Sequence, residues 1–151
     1  MRGRWIAALA GLLLLLGAGA GGAQNGWRLS GLDGGELREA DLARGTAVVV
    51  IWAGWSPRCR GIVDQVNALA AEWGGRARVV TVNFQESPDE ARGFLRGKSL
   101  RVPVFLDTDG AFSKRHHVST LPGLLVYKDG RVAYQGKLPD DPSEVVGRAL
   151  Q

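Results

Sequence analysis

The chain has 151 residues, 45% of them apolar, and a formal net charge of +4. The mildly basic charge is interspersed rather than clustered, which excludes a nucleic-acid footprint. The single cysteine excludes an intrachain disulfide: it is either a buried inert thiol or an odd cysteine free to pair with another molecule.

At the N-terminus, Arg2 and Arg4 precede an apolar run centred on Leu12 to Leu16, followed by the small residues Gly17 to Ala23. This is the three-part layout of a secretory signal peptide over residues 1–23, with Ala18-Gly19-Ala20 or Gly21-Gly22-Ala23 at the cleavage site. An uncleaved anchor is the alternative, because Trp5 to Ala23 is uncharged for 19 residues, close to the ~20 needed to span a bilayer. The glycine-rich second half favours cleavage. On either reading the rest of the chain is exported, and membrane contact is expected only if the segment stays attached. Residues 24–151 then form one domain of 128 residues, with 17 basic against 15 acidic side chains and a net charge of +2.

Trp27 to Ser30 alternates as a short strand, and Asp33-Gly34-Gly35 is a turn signal before a second strand at Glu36-Leu37-Arg38. A β-branched run, Val48-Val49-Val50-Ile51, lies in a strand expected at about 46–53 and buried on both faces. The chain then turns at Gly54-Trp55. Ser56 stands at an N-cap position and Pro57 at N1, so a helix is expected from Pro57 to about Trp73, with Ser56 capping it through its hydroxyl. Ile62, Val66, Leu69, Ala70 and Trp73 recur at helical spacing, and Gly74-Gly75 suggests a left-handed cap.

Arg78 to Phe84 is the next buried strand. Ser87-Pro88-Asp89-Glu90 is a capping box opening a helix to about Arg96. A brief strand at Val102 to Leu106 and a short helix at Ala111 to His116 follow. Leu124 to Tyr127, the turn Lys128-Asp129-Gly130 and Arg131 to Tyr134 form an antiparallel hairpin. Asp141-Pro142-Ser143-Glu144 opens a closing helix to about Leu150. The order gives an α/β chain, with helices on a mixed sheet.

The stretch Ile51-Trp52-Ala53-Gly54-Trp55-Ser56-Pro57-Arg58-Cys59-Arg60 resembles the active-site segment of the thioredoxin superfamily, Phe-Trp-Ala-x-Trp-Cys-x-x-Cys, in its periplasmic TlpA-like branch. The resemblance extends over Trp27 to Leu150 and implies a thioredoxin-like fold: a central mixed sheet flanked by helices, with an N-terminal β-hairpin extension. Val118-Ser119-Thr120-Leu121-Pro122 matches the segment carrying the family's cis-proline, with Gly123 where Thr is usual. Glu86 matches an acidic residue that lies near the two cysteines in ResA-like members.

Two departures matter. Ser56 occupies the position of the first, nucleophilic cysteine, and only the resolving cysteine remains, as Cys59. Family chemistry needs both, one to attack a substrate disulfide and one to release the mixed disulfide. Val50 stands where relatives carry a buried Asp or Asn that assists proton movement at the resolving cysteine.

A serine without an activating base is a poor nucleophile. Cys59 is pulled two ways. A helix N-terminus lowers a thiol's pKa, whereas burial, the apolar Val50 and a nearby ionised Glu86 raise it. The expected catalytic positions are therefore Cys59, Ser56 as a degenerate nucleophile position, and Glu86. A protein or peptide client, extended or cysteine-containing, is expected to bind at Trp55, Pro57, Leu121 and Pro122. Trp52 and Trp55 are both expected half in the core and half lining the groove, with Trp55 the better placed to touch a ligand. The pair His116-His117 reads as a solvated face rather than a metal site, since adjacent residues on a helix point apart, and no cofactor is called for. Three functions follow from the resemblance: a binding module without dithiol turnover, a monothiol enzyme in which an external thiol resolves adducts at Cys59, or a structural subunit of a respiratory or cytochrome-assembly complex.

Overall fold

The computed structural model describes residues 26–151, so the expected export segment at residues 1–23 lies outside the described residues. Seven strands form one sheet: β1 (Arg28–Gly31), β2 (Glu36–Arg38), β3 (Thr46–Trp52), β4 (Arg78–Phe84), β5 (Val104–Asp107), β6 (Gly123–Lys128) and β7 (Arg131–Lys137). The helices are α1 (Ile62–Trp73), α2 (Pro88–Leu95), α3 (Ala111–Arg115) and α4 (Pro142–Ala149). The sheet order is β2-β1-β5-β4-β3-β6-β7. β3, β4 and β5 run parallel, while β6 and β7 on one side and the β1–β2 hairpin on the other are antiparallel. The expected mixed sheet with flanking helices is present, and the N-terminal hairpin extends it at the β5 edge.

β3 holds the molecule together because strand side chains alternate between faces. Val48, Val50 and Trp52 enter one apolar cluster with Ile62, Val66 and Leu69 of α1, Ala91 of α2 and Val146 of α4. Ala47, Val49 and Ile51 enter a second with Val80 and Val82 of β4, Phe112 of α3, and Leu29 and Leu37 of the hairpin. Each fully buried Val or Ile contributes roughly 1.5–3 kcal/mol, which is why a run without polar residues sits at the centre of the sheet.

Two features of the helix after β3 differ from expectation. The segment is not continuous: Pro57–Cys59 is a single 3-10 turn, and α1 begins only at Ile62. Gly61, at φ −95° and ψ 13°, falls outside the helical region, and glycine is a poor helix former. At the far end Gly74 stays right-handed, and the turn closes through Arg76 and Ala77 N–H groups on the Trp73 carbonyl, both at 2.8 Å, rather than through a left-handed cap. The Ser87 capping box forms as the sequence indicates, with the Glu90 N–H donating to Ser87 Oγ and the Glu90 carboxylate accepting the Ser87 N–H. The β6–β7 turn places Asp129 and Gly130 at φ 49° and 77°, as a tight hairpin demands.

Among the described residues no helix is long and apolar enough to cross a membrane.

Candidate functional site

The parallel strands β3 and β4 both end at the same rim of the sheet, and the chain that leaves β3 builds the site. Ala53, Gly54 and Trp55 turn the chain, with the Ser56 N–H donating to the Ala53 carbonyl at 3.2 Å. Gly54 is required by close approach. A Cβ there would lie 2.9 Å from Phe94 Cβ and 3.0 Å from Glu86 Oε1. Glu86, only 7% exposed, fixes the turn from beneath. Its Oε2 accepts the Gly54 N–H at 2.8 Å and the Asn83 side-chain amide at 2.6 Å. The expected acidic residue thus acts on the backbone of the turn and on Asn83.

The two tryptophans divide differently from expectation. Trp52 is wholly buried, stacked near Phe94 at a centroid distance of 5.1 Å, and its indole N–H has no partner. It belongs to the core alone because β3 directs it into the α1-side cluster. Trp55 is 60% exposed and packs its ring toward Phe84 at 6.4 Å.

Ser56 is also not what its position suggests. Its side chain makes no capping bond, and the Cys59 N–H donates instead to the Ser56 main-chain carbonyl at 3.0 Å. A 3-10 turn satisfies that donor through the backbone and leaves the hydroxyl free. Cys59, three residues on, is completely buried in the cluster that contains Val50, Trp52 and Ile62.

Opposite this turn runs the segment before β6. The Leu121-Pro122 peptide bond is cis, as the resemblance implies. β3 pairs with β6 up to Ile51↔Gly123, so one further step of register sets Pro122 against the end of β3. Gly123 has a local reason: a Cβ would stand 2.8 Å from Val118 Cγ1, so Val118 holds the space that a threonine would need. The N–H groups of Ser119, Thr120 and Leu121 make no hydrogen bond among the described residues.

Between the two segments lies a groove of about 340 Å³. Trp55, Ser56, Arg58 and Phe84 form one wall, and Val118, Ser119, Thr120 and Leu121 the other. Of the residues named from sequence, Trp55, Ser56 and Leu121 line it, Pro57 and Pro122 flank it, and Cys59 and Glu86 lie outside its lining. Phe84 and Asn83 were not legible as site residues. Asn83 carries one signal, a polar side chain inside an apolar strand run. A larger open groove of about 630 Å³ lies against β1 and α3 and contains none of these residues.

His116 departs from the expected solvated face. It is buried, its Nδ1 donates to the Phe112 carbonyl at 2.8 Å, and its Nε2 accepts from the Tyr127 hydroxyl. His117 is exposed, at φ 52°. The described residues contain no His, Cys, Asp and Glu cluster able to hold a metal ion.

Sheet order, helix placement and the cis proline at the rim define a thioredoxin-like protein. A thiol:disulfide interchange protein DsbE of Chlorobium tepidum superposes with a TM-score of 0.73 at 23% identity, covering 83% of this chain and 94% of that one. StoA of Bacillus subtilis superposes with a TM-score of 0.61 at 19% identity, covering 73% and 85%. The chain belongs to the Redoxin family, which it matches over residues 23–150. Among characterised relatives, it is 25% identical over 79 residues to sporulation thiol-disulfide oxidoreductase A of Bacillus subtilis, covering 50% of this chain and 48% of that protein. It is 24% identical over 117 residues to a thioredoxin of Staphylococcus aureus, covering 74% and 89%. The chain therefore spans about half the length of the Bacillus relative.

Proposed function

We propose that this is an exported member of the thiol–disulfide oxidoreductase group, of the TlpA/ResA-like branch, whose dithiol site has become Ser56-Pro57-Arg58-Cys59. It binds extended or cysteine-containing protein segments in the Trp55–Leu121 groove without full dithiol turnover. The observation that carries this reading is the contrast between Ser56 and Cys59. Ser56 lines the groove with only 7% of its surface exposed and carries no sulfur, while Cys59, which carries the sulfur, is completely buried and outside the groove lining. One sulfur cannot cycle between dithiol and disulfide.

The groove supports client binding. Its walls offer apolar surface at Trp55, Phe84, Val118 and Leu121, and unbonded N–H groups at residues 119–121 invite an extended chain to pair as an added strand. Export is supported by the signal-like residues 1–23 and by structural neighbours such as the exposed lipoprotein thioredoxin of Streptococcus pneumoniae, at TM-score 0.71 and 20% identity.

The test has two arms. The purified protein should not catalyse dithiothreitol-driven insulin reduction above background, and it should bind a labelled extended peptide of valine and tyrosine by fluorescence anisotropy, with binding lost in Trp55→Ala. An insulin-reduction rate comparable to that of a dithiol thioredoxin would overturn the reading of Ser56. Absence of peptide binding would overturn the client groove.

A further inference from the structure

The turn that carries Ser56 and Cys59 borders two grooves. Arg58 lines the Trp55–Leu121 groove, and Arg60 and Gly61, which follow Cys59 directly, line a second one of about 420 Å³. The second groove lies between the start of α1 and the loop that follows α2. Those two walls are pinned together: Asn67 Nδ2 donates to the Ser99 carbonyl at 2.8 Å, and Asn67 Oδ1 accepts the Arg101 N–H at 2.9 Å.

The charge of this recess is one-sided. Arg60, Lys98 and Arg101 line it against a single carboxylate, Asp64. Among the described residues none of these three cations enters a salt bridge, nor does Arg58; the ion pairs lie at Arg38, Arg92, Arg115 and Arg148, and most other cations are likewise unpaired, so the recess is distinguished by its lining of three cations to one carboxylate. Lys98 is partly engaged, donating to the Phe94 carbonyl at 2.6 Å with its ammonium 4.3 Å from the Phe94 ring. Arg60 and Arg101 have no such partner. The net charge of residues 24–151 is small, so this excess of cations is local rather than a general property of the surface.

We infer that the second groove receives an acidic stretch of the client polypeptide whose apolar stretch lies in the Trp55–Leu121 groove, where Arg58 lines the wall. This rests on the client-binding reading above and names the class of client. A polypeptide fits better than an anionic bilayer because the cations line a recess rather than a flat face, and Arg60 on that recess stands two residues from Arg58 on the Trp55–Leu121 groove. Exposed pairs of this kind are individually weak, so several acting together give an acidic client about a fivefold advantage over a neutral one. Their larger effect is on selection among clients and on encounter rate.

The experiment uses the intact chain and two labelled peptides with the same valine- and tyrosine-containing stretch, one continued by a run of Glu and the other by a run of Gln. The Glu peptide should bind about fivefold tighter at low salt. The difference should vanish near 1 M salt, where the Debye length is about 3 Å. In the double variant Arg60→Gln, Arg101→Gln both peptides should bind as the Gln peptide does. The main-chain bond from residue 101 to Asn67 survives that substitution, and a thermal melt checks that the variant is folded. Equal affinities in the unaltered protein overturn this inference and leave the groove standing, and so does a Glu preference that persists in the double variant. Failure to bind either peptide overturns the groove itself. Sedimentation with phosphatidylglycerol vesicles, lost in the double variant and accompanied by no peptide preference, assigns the recess to a membrane surface and also overturns it.

Discussion

Glu86 and Gly54 lie 32 residues apart and are joined directly, the buried carboxylate accepting the backbone N–H at the turn after β3. The same oxygen holds the Asn83 amide, so one side chain ties the ends of two adjacent parallel strands to the turn that presents Trp55. Glu86→Ala leaves both donors without an acceptor. A loss of about 2–6 kcal/mol is expected, at about 1–3 for each of the two orphaned donors. Glu86→Gln keeps an acceptor and should lose less. Urea unfolding of the two variants measures the difference, and equal losses would contradict the role assigned to the side-chain oxygen as acceptor.

Burial of Cys59 makes a kinetic prediction. With no exposed surface, the thiol should react with a maleimide slowly in native buffer and rapidly after denaturation. Fast native labelling at neutral pH would favour the monothiol enzyme over the binding module.

Replacing Ser56 asks whether the scaffold can still support dithiol chemistry. Its hydroxyl caps nothing, so Ser56→Cys sacrifices no helix-capping bond and should change stability by less than the ~1 kcal/mol of a lost cap. The variant is expected to form a reversible 56–59 disulfide and to gain insulin-reductase activity, remaining slow because Val50 offers no proton acceptor. Mass spectrometry after oxidation and the insulin rate are the readings. A folded variant whose cysteines never pair would show that position 56 is not the nucleophile position.

Stability should depend on pH through His116. Burial holds its pKa below the ordinary value, reinforced by Arg115, while the bond to the Phe112 carbonyl and the charges of Glu39 and Asp107 oppose the shift. As the pH falls below about 6.5 the unfolded chain takes up the proton first. The folded state is therefore fully favoured above that value and loses ground as the pH drops through the lower native pKa. Protonation also places a hydrogen on Nε2, where the Tyr127 hydroxyl now donates. Unfolding free energy should decline as the pH falls below about 6.5 toward the lower native pKa. His116→Gln should flatten that dependence, while His117→Asn, at an exposed site, should leave it in place.

Much of the fold was written in local pattern. The β-branched run of β3, the Ser87-Pro88-Asp89-Glu90 box and the Asp129-Gly130 turn each fix a backbone conformation from neighbours in sequence, and the structure keeps all three. The motif around Trp52 to Cys59 also placed the turn beside the candidate groove, because a buried strand ending in a turn must deliver the following residues to the rim of the sheet.

What the local pattern could not decide was the surroundings of single side chains. Trp52 and Trp55 are near neighbours in one motif, yet Trp52 is core because the face of β3 that carries it meets Phe94 and α1, and Trp55, in the turn beyond β3, is groove wall. His116 and His117 are adjacent, yet only His116 meets Tyr127 from β6. Ser56 looks like a helix cap, but the 3-10 turn gives the Cys59 N–H a main-chain acceptor first. The sequence by itself determined the periodicity of burial, and hence the layers of the fold, because that periodicity is a property of consecutive residues. Only the tertiary structure decided which polar atoms are buried, paired or left on a groove wall, because each depends on partners brought together from distant parts of the chain.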